Sequence, residues 1–161
     1  MDIGIIVYSY TNNTLSIAKT LCEKLQTEGH VCAIEAIKAS DETPEAKSFE
    51  LTNIPDPLQH DVVVLASPVR AFQVAPIMKR YLEQCPSLKD KPILVFLTHH
   101  FPFHWMGGNT ALKGKLKLIQ AKEGKVLEAD IIDWSNKKRS QQIDALIERF
   151  TLAIRHLKVI L

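Results

Sequence analysis

The chain alternates between continuous apolar runs and amphipathic segments. Apolar runs bounded by polar residues cover residues 2–8, 61–66 and 92–98, a pattern typical of strands that are buried on both faces of a parallel sheet. Residues 31–37 and 125–132 alternate less regularly, but they directly follow amphipathic segments, so we predict strands there too. The pattern therefore predicts five strands.

Helix patterns lie between these strands. Apolar residues recur at three- and four-residue steps over residues 14–28, and Gly29 then favours the end of that helix. Pro76 suits the first turn of a second helix, Pro76–Gln84. We expect Asn109 to cap a third helix that runs to about residue 122.

The last helix has the clearest amphipathic pattern. Ser135 or Asn136 is expected to cap it, because short polar side chains accept hydrogen bonds from the free N–H groups of a first turn. Its apolar residues share one stripe, which we expect to pack on the sheet. The stripe consists of Ile143, Leu146, Ile147, Phe150, Ile154 and Leu157.

Strands that alternate with helices predict an α/β fold with a doubly wound parallel sheet, because each parallel connection needs a right-handed crossover. One connection differs from this pattern. Residues 38–60 contain Pro44, Pro55 and Pro57 and few apolar residues at helical spacing, so we predict an irregular connection there. The chain has 161 residues, 46% of them hydrophobic and 24% charged, which suits a single domain over residues 1–161.

Composition also sets the expected environment of the protein. Cys22, Cys32 and Cys85 form no CxxC pair, so we expect reduced, buried thiols rather than a disulfide framework or a zinc site. The longest apolar runs are far shorter than the roughly 18 residues of a membrane span, and the first residues do not resemble a signal peptide. We therefore expect a cytoplasmic protein with no membrane span.

The charge pattern does not indicate a nucleic-acid partner. The formal net charge is +2, with an excess of acidic groups in residues 1–60 and of basic groups in residues 61–161. The basic residues are spread over several segments, and the longest run is residues 137–139. Four lysines near the third helix predict a solvated face that can also steer an acidic redox partner. They are Lys113, Lys115, Lys117 and Lys122.

Polar residues follow the first strand where it meets the first helix. They are Ser9, Tyr10, Thr11, Asn12, Asn13 and Thr14. Ligands of open α/β sheets bind at the carboxyl ends of strands, and hydroxyls beside the free N–H groups of a helix start suit a phosphate dianion. Alternatively, Thr11 or Asn12 only caps the helix. The absence of GxxxxGK[ST] and GxGxxG patterns argues against the common nucleotide and dinucleotide sites.

Two further loops follow the third and fourth strands. The first begins with Ser67 and Pro68, and its Arg70 is either a charged ligand contact or an ordinary surface residue. The second, residues 98–109, is rich in histidine and aromatic residues. Its histidines can bind a metal ion, but they lack the carboxylate or cysteine neighbours of a familiar motif, so we assign no metal site. These histidines are His99, His100 and His104.

The loops resemble those of the flavodoxin-like family of FMN-binding redox proteins. The family's phosphate loop alternates Ser or Thr with another residue and then has Gly, Asn and Thr, which corresponds here to residues 9–14. Asn12 stands in place of the glycine, and asparagine tolerates a positive φ better than most residues. The Ser-Pro turn at Ser67 and Pro68 is the second match. The resemblance implies strand order 2-1-3-4-5 in a three-layer sandwich, with FMN between the first and third strands.

The resemblance also implies which residues contact FMN. The phosphate contacts would be Ser9, Tyr10, Thr11, Asn12, Asn13 and Thr14. The flavin ring would lie against Ser67, Pro68, Val69, Arg70, Ala71 and Phe72. The other side of the ring would be formed by Thr98, His99, His100, Phe101, Trp105, Gly107 and Gly108, with Phe101 or Trp105 stacked on it. No side chain is assigned as a catalytic acid or base.

The implied function is electron transfer through bound FMN. The preferred hypothesis is an oxidoreductase that passes electrons from NAD(P)H to a quinone or similar acceptor, because the +2 charge differs from that of strongly acidic carriers of the family. The alternatives are an electron carrier between redox partner proteins and a flavin-free α/β binding module.

Two other functions of similar folds lack their key residues. A phosphate-receiving regulatory domain needs an aspartate after the third strand and an acidic pair after the first. The chain has Ala66 and Ser67 at the former place and Ser9 and Tyr10 at the latter. A serine hydrolase of the α/β class needs a GxSxG turn, which the sequence also lacks.

Overall fold

A computed structural model, which describes residues 1–43 and 46–160, contains one main sheet and four α-helices. The strands are β1 (Asp2–Val7), β2 (Val31–Ala36), β3 (Lys38–Ala39), β4 (Leu51–Asn53), β5 (Val62–Arg70), β6 (Gln73–Val74), β7 (Pro92–His99) and β8 (Lys125–Asp133). The helices are α1 (Asn13–Thr27), α2 (Pro76–Gln84), α3 (Gly108–Ala121) and α4 (Arg139–Ile160).

The main sheet has the strand order β2-β1-β5-β7-β8, and all four of these pairings are parallel. Counting only these five strands along the chain, the order is 2-1-3-4-5, which confirms the prediction. The strand order reverses at β1, because β2 lies on one side of it and β5 on the other. That reversal opens a crevice beyond the carboxyl ends of β1 and β5.

Helices cover both faces of the sheet. Helices α1 and α4 pack on one face, where Leu21 and Phe150 belong to one buried cluster with strand residues such as Ile5. Helices α2 and α3 pack on the other face, where Met78 and Ile119 lie in a second cluster. The result is the expected three-layer sandwich, in which central strands are apolar on both faces because both faces are buried.

The apolar stripe of α4 packs against the core as predicted, with Ile143 and Leu157 partly buried, but two predicted helix caps are wrong. Helix α4 begins at Arg139, and Asn136 instead accepts a 2.8 Å hydrogen bond from the N–H of Lys138 in the preceding turn. Helix α3 begins at Gly108 after a left-handed Gly107 (φ 97°), so Asn109 lies within the first turn. Glycine adopts this left-handed conformation without the steric cost that a Cβ atom would bring.

Residues 38–60 form no α-helix in their described part, as predicted, but they are more ordered than expected. Strands β3 and β4 form an antiparallel ribbon, and Pro57–Gln59 form a single 3₁₀ turn. The hydroxyl of Tyr81 donates a buried 2.7 Å hydrogen bond to the carbonyl of Pro55, which fixes this segment to α2. Pro44, one basis of the prediction, lies outside the described residues.

The three cysteines are free and buried, as expected from their spacing. Burial and a hydrogen bond with Cys22 raise the pKa of the Cys32 thiol, so this sulfur is a poor nucleophile. Within the described residues, no helix is both long enough and apolar enough to cross a membrane.

His60 connects β1, β2 and the start of β5. Its Nδ1 lies 2.5 Å from a carboxylate oxygen of Asp2, and its Nε2 lies 2.6 Å from one of Glu35. Gly4 makes room for the ring, because a Cβ atom at Gly4 would lie 2.2 Å from the His60 Cδ2. Burial lowers the pKa of His60, but the hydrogen bonds and charges of the two carboxylates outweigh it, and the net pKa is raised above 6.5.

The raised pKa predicts a pH dependence of stability. The contribution of protonated His60 is fully present below the unfolded-state pKa of 6.5 and is lost as pH rises through the higher folded-state pKa. We expect His60→Gln to remove this loss from the unfolding free energy measured in urea across that pH window. The matched control is His156→Gln on the exposed side of α4, which should keep the wild-type profile. Parallel profiles for wild type and His60→Gln would contradict the prediction.

Candidate functional site

A cleft of about 310 Å³ opens beyond the carboxyl ends of β1, β5 and β7, at the crevice where the strand order reverses. Its volume lies within the range of small-ligand sites. The lining residues are Tyr10, Thr11, Asn13, Pro68, Val69, Arg70, Thr98, His99, His100 and Trp134. All of them except Trp134 are among the residues that the sequence predicts for the site.

The remaining predicted site residues lie around the cleft rather than in its lining. They are Ser9, Asn12, Thr14, Ser67, Ala71, Phe72, Phe101, Trp105, Gly107 and Gly108. Several of them use their polar groups or rings in contacts within the protein, and these contacts hold the lining residues in place.

The start of α1 faces the cleft without a side-chain cap. Asn12 has a left-handed backbone (φ 68°, ψ 0°), and its own side chain makes no capping hydrogen bond. Asparagine tolerates this conformation better than most residues, so the backbone at this position is one that glycine also adopts. The alternative that the Asn12 side chain only caps the helix is therefore wrong. Deeper in the first turn, Ser9 Oγ accepts a 3.3 Å hydrogen bond from the N–H of Leu15.

Thr14 is buried beneath the cleft and connects two of its walls. Its side chain is buried, and its hydroxyl oxygen lies 2.8 Å from that of Thr98. This hydrogen bond joins the start of α1 to the end of β7, so it fixes two walls of the cleft relative to each other.

Lys115 corrects the prediction of a fully solvated lysine face. Its side chain is completely buried, and its Nζ donates 3.0 Å hydrogen bonds to the carbonyl of Leu65 and to the hydroxyl of Ser67. Burial lowers the pKa of Lys115 well below 10.5, because a charged amine is poorly solvated there. Lys113 and Lys117 on the same helix are exposed, as predicted.

The segment after the third parallel strand is a hairpin. Strand β5 continues to Arg70, beyond the predicted end at residue 66, because Val69 and Arg70 pair antiparallel with β6. Ala71 and Phe72 form the turn with φ values of 46° and 62°. Positive φ at both central residues matches the twist of a tight hairpin.

Arg70 carries the positive charge of the cleft wall. Its guanidinium lies over the Tyr10 ring, 5.8 Å from the centroid. Its Nε is buried and has no hydrogen-bond partner among the described residues. Buried donors usually have a partner, so this N–H fits a ligand acceptor in the cleft. None of the described residues that line the cleft is acidic.

The aromatic residues are arranged differently from the expectation. Trp105 is 74% exposed and stacks on Phe103, with ring centroids 6.0 Å apart, rather than lining the cleft. Phe101 stacks on Phe72 in the same way. Trp134 instead lines the cleft. It directly follows β8, so the rule that ligands meet the carboxyl ends of strands could have identified it.

The histidines after β7 do have a carboxylate neighbour, contrary to the sequence expectation. Asp133 hydrogen-bonds to His99, and its other oxygen lies 2.6 Å from Nδ1 of His104. The reason is the parallel pairing of β7 with β8, which places His99 opposite Asp133. Sequence spacing gave no sign of this contact because 34 residues separate the two positions.

Comparison with known proteins shows the fold. Among solved structures, the chain is similar to a flavodoxin of Streptococcus pneumoniae TIGR4, with a TM-score of 0.67, 14% identity, and coverage of 92% of this chain and 96% of that one. It is similar to oxidised flavodoxin 1 of Bacillus cereus, with a TM-score of 0.69, 13% identity, and coverage of 97% and 99%.

A third similar structure is the two-electron reduced flavodoxin of Megasphaera elsdenii, with a TM-score of 0.67, 16% identity, and coverage of 94% and 98%. No protein-family model matches the chain, and no curated protein sequence matches it either. The chain therefore has a flavodoxin-like fold over nearly its whole length.

Proposed function

We propose that this chain, with its flavodoxin-like fold, binds FMN in the cleft and passes electrons through it. The observation that carries the proposal is the start of α1, where Asn12 makes no side-chain cap and which opens on the same cleft as the unpartnered Nε of Arg70. A helix start binds phosphate through its free N–H groups and its dipole. Arg70, on the wall opposite the start of α1, provides a donor for an anionic or carbonyl-bearing group of the ligand.

Each wall would contact a different part of FMN. The N–H groups of the loop after β1, with Thr11 and Asn13, would hold the phosphate. Tyr10 and Trp134 would provide aromatic surface beside the ring. Bound FMN supplies the electron-accepting chemistry, and the protein sets its position and its electrostatic surroundings.

The charge of the cleft wall predicts how the protein affects the reduction of bound FMN. Arg70 stabilises negative charge that the flavin gains on reduction, and the acidic side chains that would oppose this are missing from the described lining. The similar Bacillus cereus structure is of an oxidised flavodoxin, and the Megasphaera elsdenii structure is of a two-electron reduced one, which supports redox cycling for this chain as part of the proposal.

The test is an FMN titration of the cofactor-free protein. We expect one FMN per chain, measured by quenching of flavin fluorescence and by a shift of the visible spectrum. The same titration with riboflavin, which lacks the phosphate, should give weaker binding. If the protein binds no FMN at micromolar concentrations, the proposal fails and the flavin-free binding module takes its place.

A second candidate is an FMN-dependent oxidoreductase that takes electrons from NAD(P)H and reduces a quinone or similar acceptor. The absence of acidic residues from the described cleft lining favours it, because an anionic nicotinamide nucleotide would approach without repulsion. Anaerobic mixing of the FMN-loaded protein with NADPH is decisive. Rapid bleaching of the flavin would establish the oxidoreductase, and an unchanged spectrum would favour a carrier between redox partner proteins.

A further inference from the structure

Three potential metal ligands converge at the edge of the cleft. His99 ends β7, His104 lies in the following loop, and Asp133 ends β8. One ligand atom from each lies within 4.8 Å of the others. Asp133 lies 34 residues beyond His99 in the chain, so the fold brings it to the two histidines.

The cluster is buried on one side and open to solvent on the other. Asp133 and His99 are buried, whereas the His104 side chain is 40% exposed, which leaves an entry path from solvent. Gln142 of α4 holds Asp133 at two points: its Nε2 donates to the carboxylate Oδ2 at 3.0 Å, and its Oε1 accepts from the backbone N–H at 2.9 Å. Hydrogen bonds of this kind around a metal ligand orient it and raise metal affinity.

Nothing else in the described structure anchors the polar edge of His99. Its Nε2 faces Asp133, and its Nδ1 is buried without a hydrogen-bond partner among the described residues. The orientation of this buried ring is therefore set by the cluster. Gly108 leaves room for the His99 ring, because a Cβ atom at Gly108 would lie 3.1 Å from the His99 Cε1.

We propose that His99, His104 and Asp133 bind one divalent transition-metal ion. Two imidazoles and one carboxylate suit Zn²⁺, Fe²⁺, Co²⁺ or Ni²⁺, whereas Mg²⁺ and Ca²⁺ require sites made of oxygen ligands. Three protein ligands leave at least one coordination position for water or a small molecule, as in catalytic rather than purely structural zinc sites. The single carboxylate charge partly balances the ion.

The site does not depend on the proposed flavin. His99 also lines the cleft, so an ion held there would lie at the border of the FMN pocket. Its binding can nevertheless be measured on the cofactor-free protein, and a failure of one proposal leaves the other intact.

The test is a calorimetric Zn²⁺ titration of the full chain after treatment with a chelator. We expect one Zn²⁺ per chain with a micromolar or tighter Kd, and no comparable binding of Mg²⁺. His104→Ala removes a partly exposed ligand and leaves the core unchanged, so it should weaken Zn²⁺ binding by at least about tenfold. Asp133→Asn should weaken it as well, and Gln142→Leu, which keeps all three ligands, should have a smaller effect.

The matched control is His100→Ala, because His100 lies in the same loop but outside the cluster. This variant should bind Zn²⁺ as the wild type does. If Asp133→Asn does not fold, as judged by circular dichroism, His104→Ala alone decides. Failure of the wild type to bind Zn²⁺ at micromolar concentrations would overturn the proposal, and so would equal affinities for wild type and His104→Ala.

Discussion

Replacement of Lys115 by alanine is expected to lower the free energy of unfolding by about 3 kcal/mol, whereas Lys115→Met should be as stable as the wild type or more stable. Alanine leaves a cavity between α3 and the sheet and removes the donor to Leu65 and Ser67. Methionine fills the same space without an amine. The burial of that amine is costly, because burial alone determines its lowered pKa and no opposite charge offsets the loss of solvation.

The pH dependence separates the amine from the packing. Folded Lys115 has a lowered pKa, so between that pKa and 10.5 the unfolded chain binds more protons at this residue than the folded chain does. This residue's contribution to wild-type stability therefore rises with pH across that window. Any advantage of Lys115→Met over wild type should shrink as pH approaches 10.5.

Urea unfolding at neutral and alkaline pH measures both effects. Lys113→Met and Lys117→Met change exposed lysines of the same helix and should shift stability little at either pH. Equal destabilisation by alanine and methionine at position 115 would show that the hydrogen bonds of the amine, rather than its burial, dominate.

The elements that the sequence predicted well are those whose burial shows directly in local pattern. Strands β1, β5 and β7 are apolar on both faces because helices cover both sides of the sheet. Helix α4 was recognisable from its single stripe. Strands β3, β4 and β6 were missed because two or three residues are too few to show a period.

Lys115 was misjudged although the sequence contained a signal. Ala111, Lys115 and Ile119 are spaced four residues apart, and all three are buried. This spacing places them on one helix face, so the lysine lies on the apolar stripe of α3. The sequence analysis predicts an exposed side chain at this position because a lysine is almost never fully buried, although the spacing favours a buried one.

The residues that line the cleft were predictable where one loop contains them, and contacts were missed where two distant strands meet. Thr11 and Asn13 follow β1, Arg70 is the last residue of β5, and the structure places all three in one cleft. The contact of Asp133 with His99 depends on the register of β7 with β8. Register is set by packing across the whole sheet, so local sequence does not contain it.

A carboxylate at Thr11 is expected to remove most FMN binding while leaving the fold intact. Thr11 lines the cleft beside the uncapped start of α1, where the phosphate of FMN would bind. At about 5 Å and an effective dielectric constant of about 20, each phosphate charge is repelled by about 3 kcal/mol. Thr11→Asp should therefore raise the Kd for FMN by a factor on the order of 100 or more.

Two comparisons make this result specific to the phosphate. Riboflavin has the same ring without the phosphate, so its affinity should change little in Thr11→Asp. Thr11→Asn, a neutral change of similar size, should bind FMN nearly as well as the wild type. The fold itself should gain slightly from the aspartate, because a negative charge near a helix start is favourable by about 0.5 kcal/mol. Equal losses of FMN and riboflavin affinity in Thr11→Asp would instead locate the phosphate away from α1.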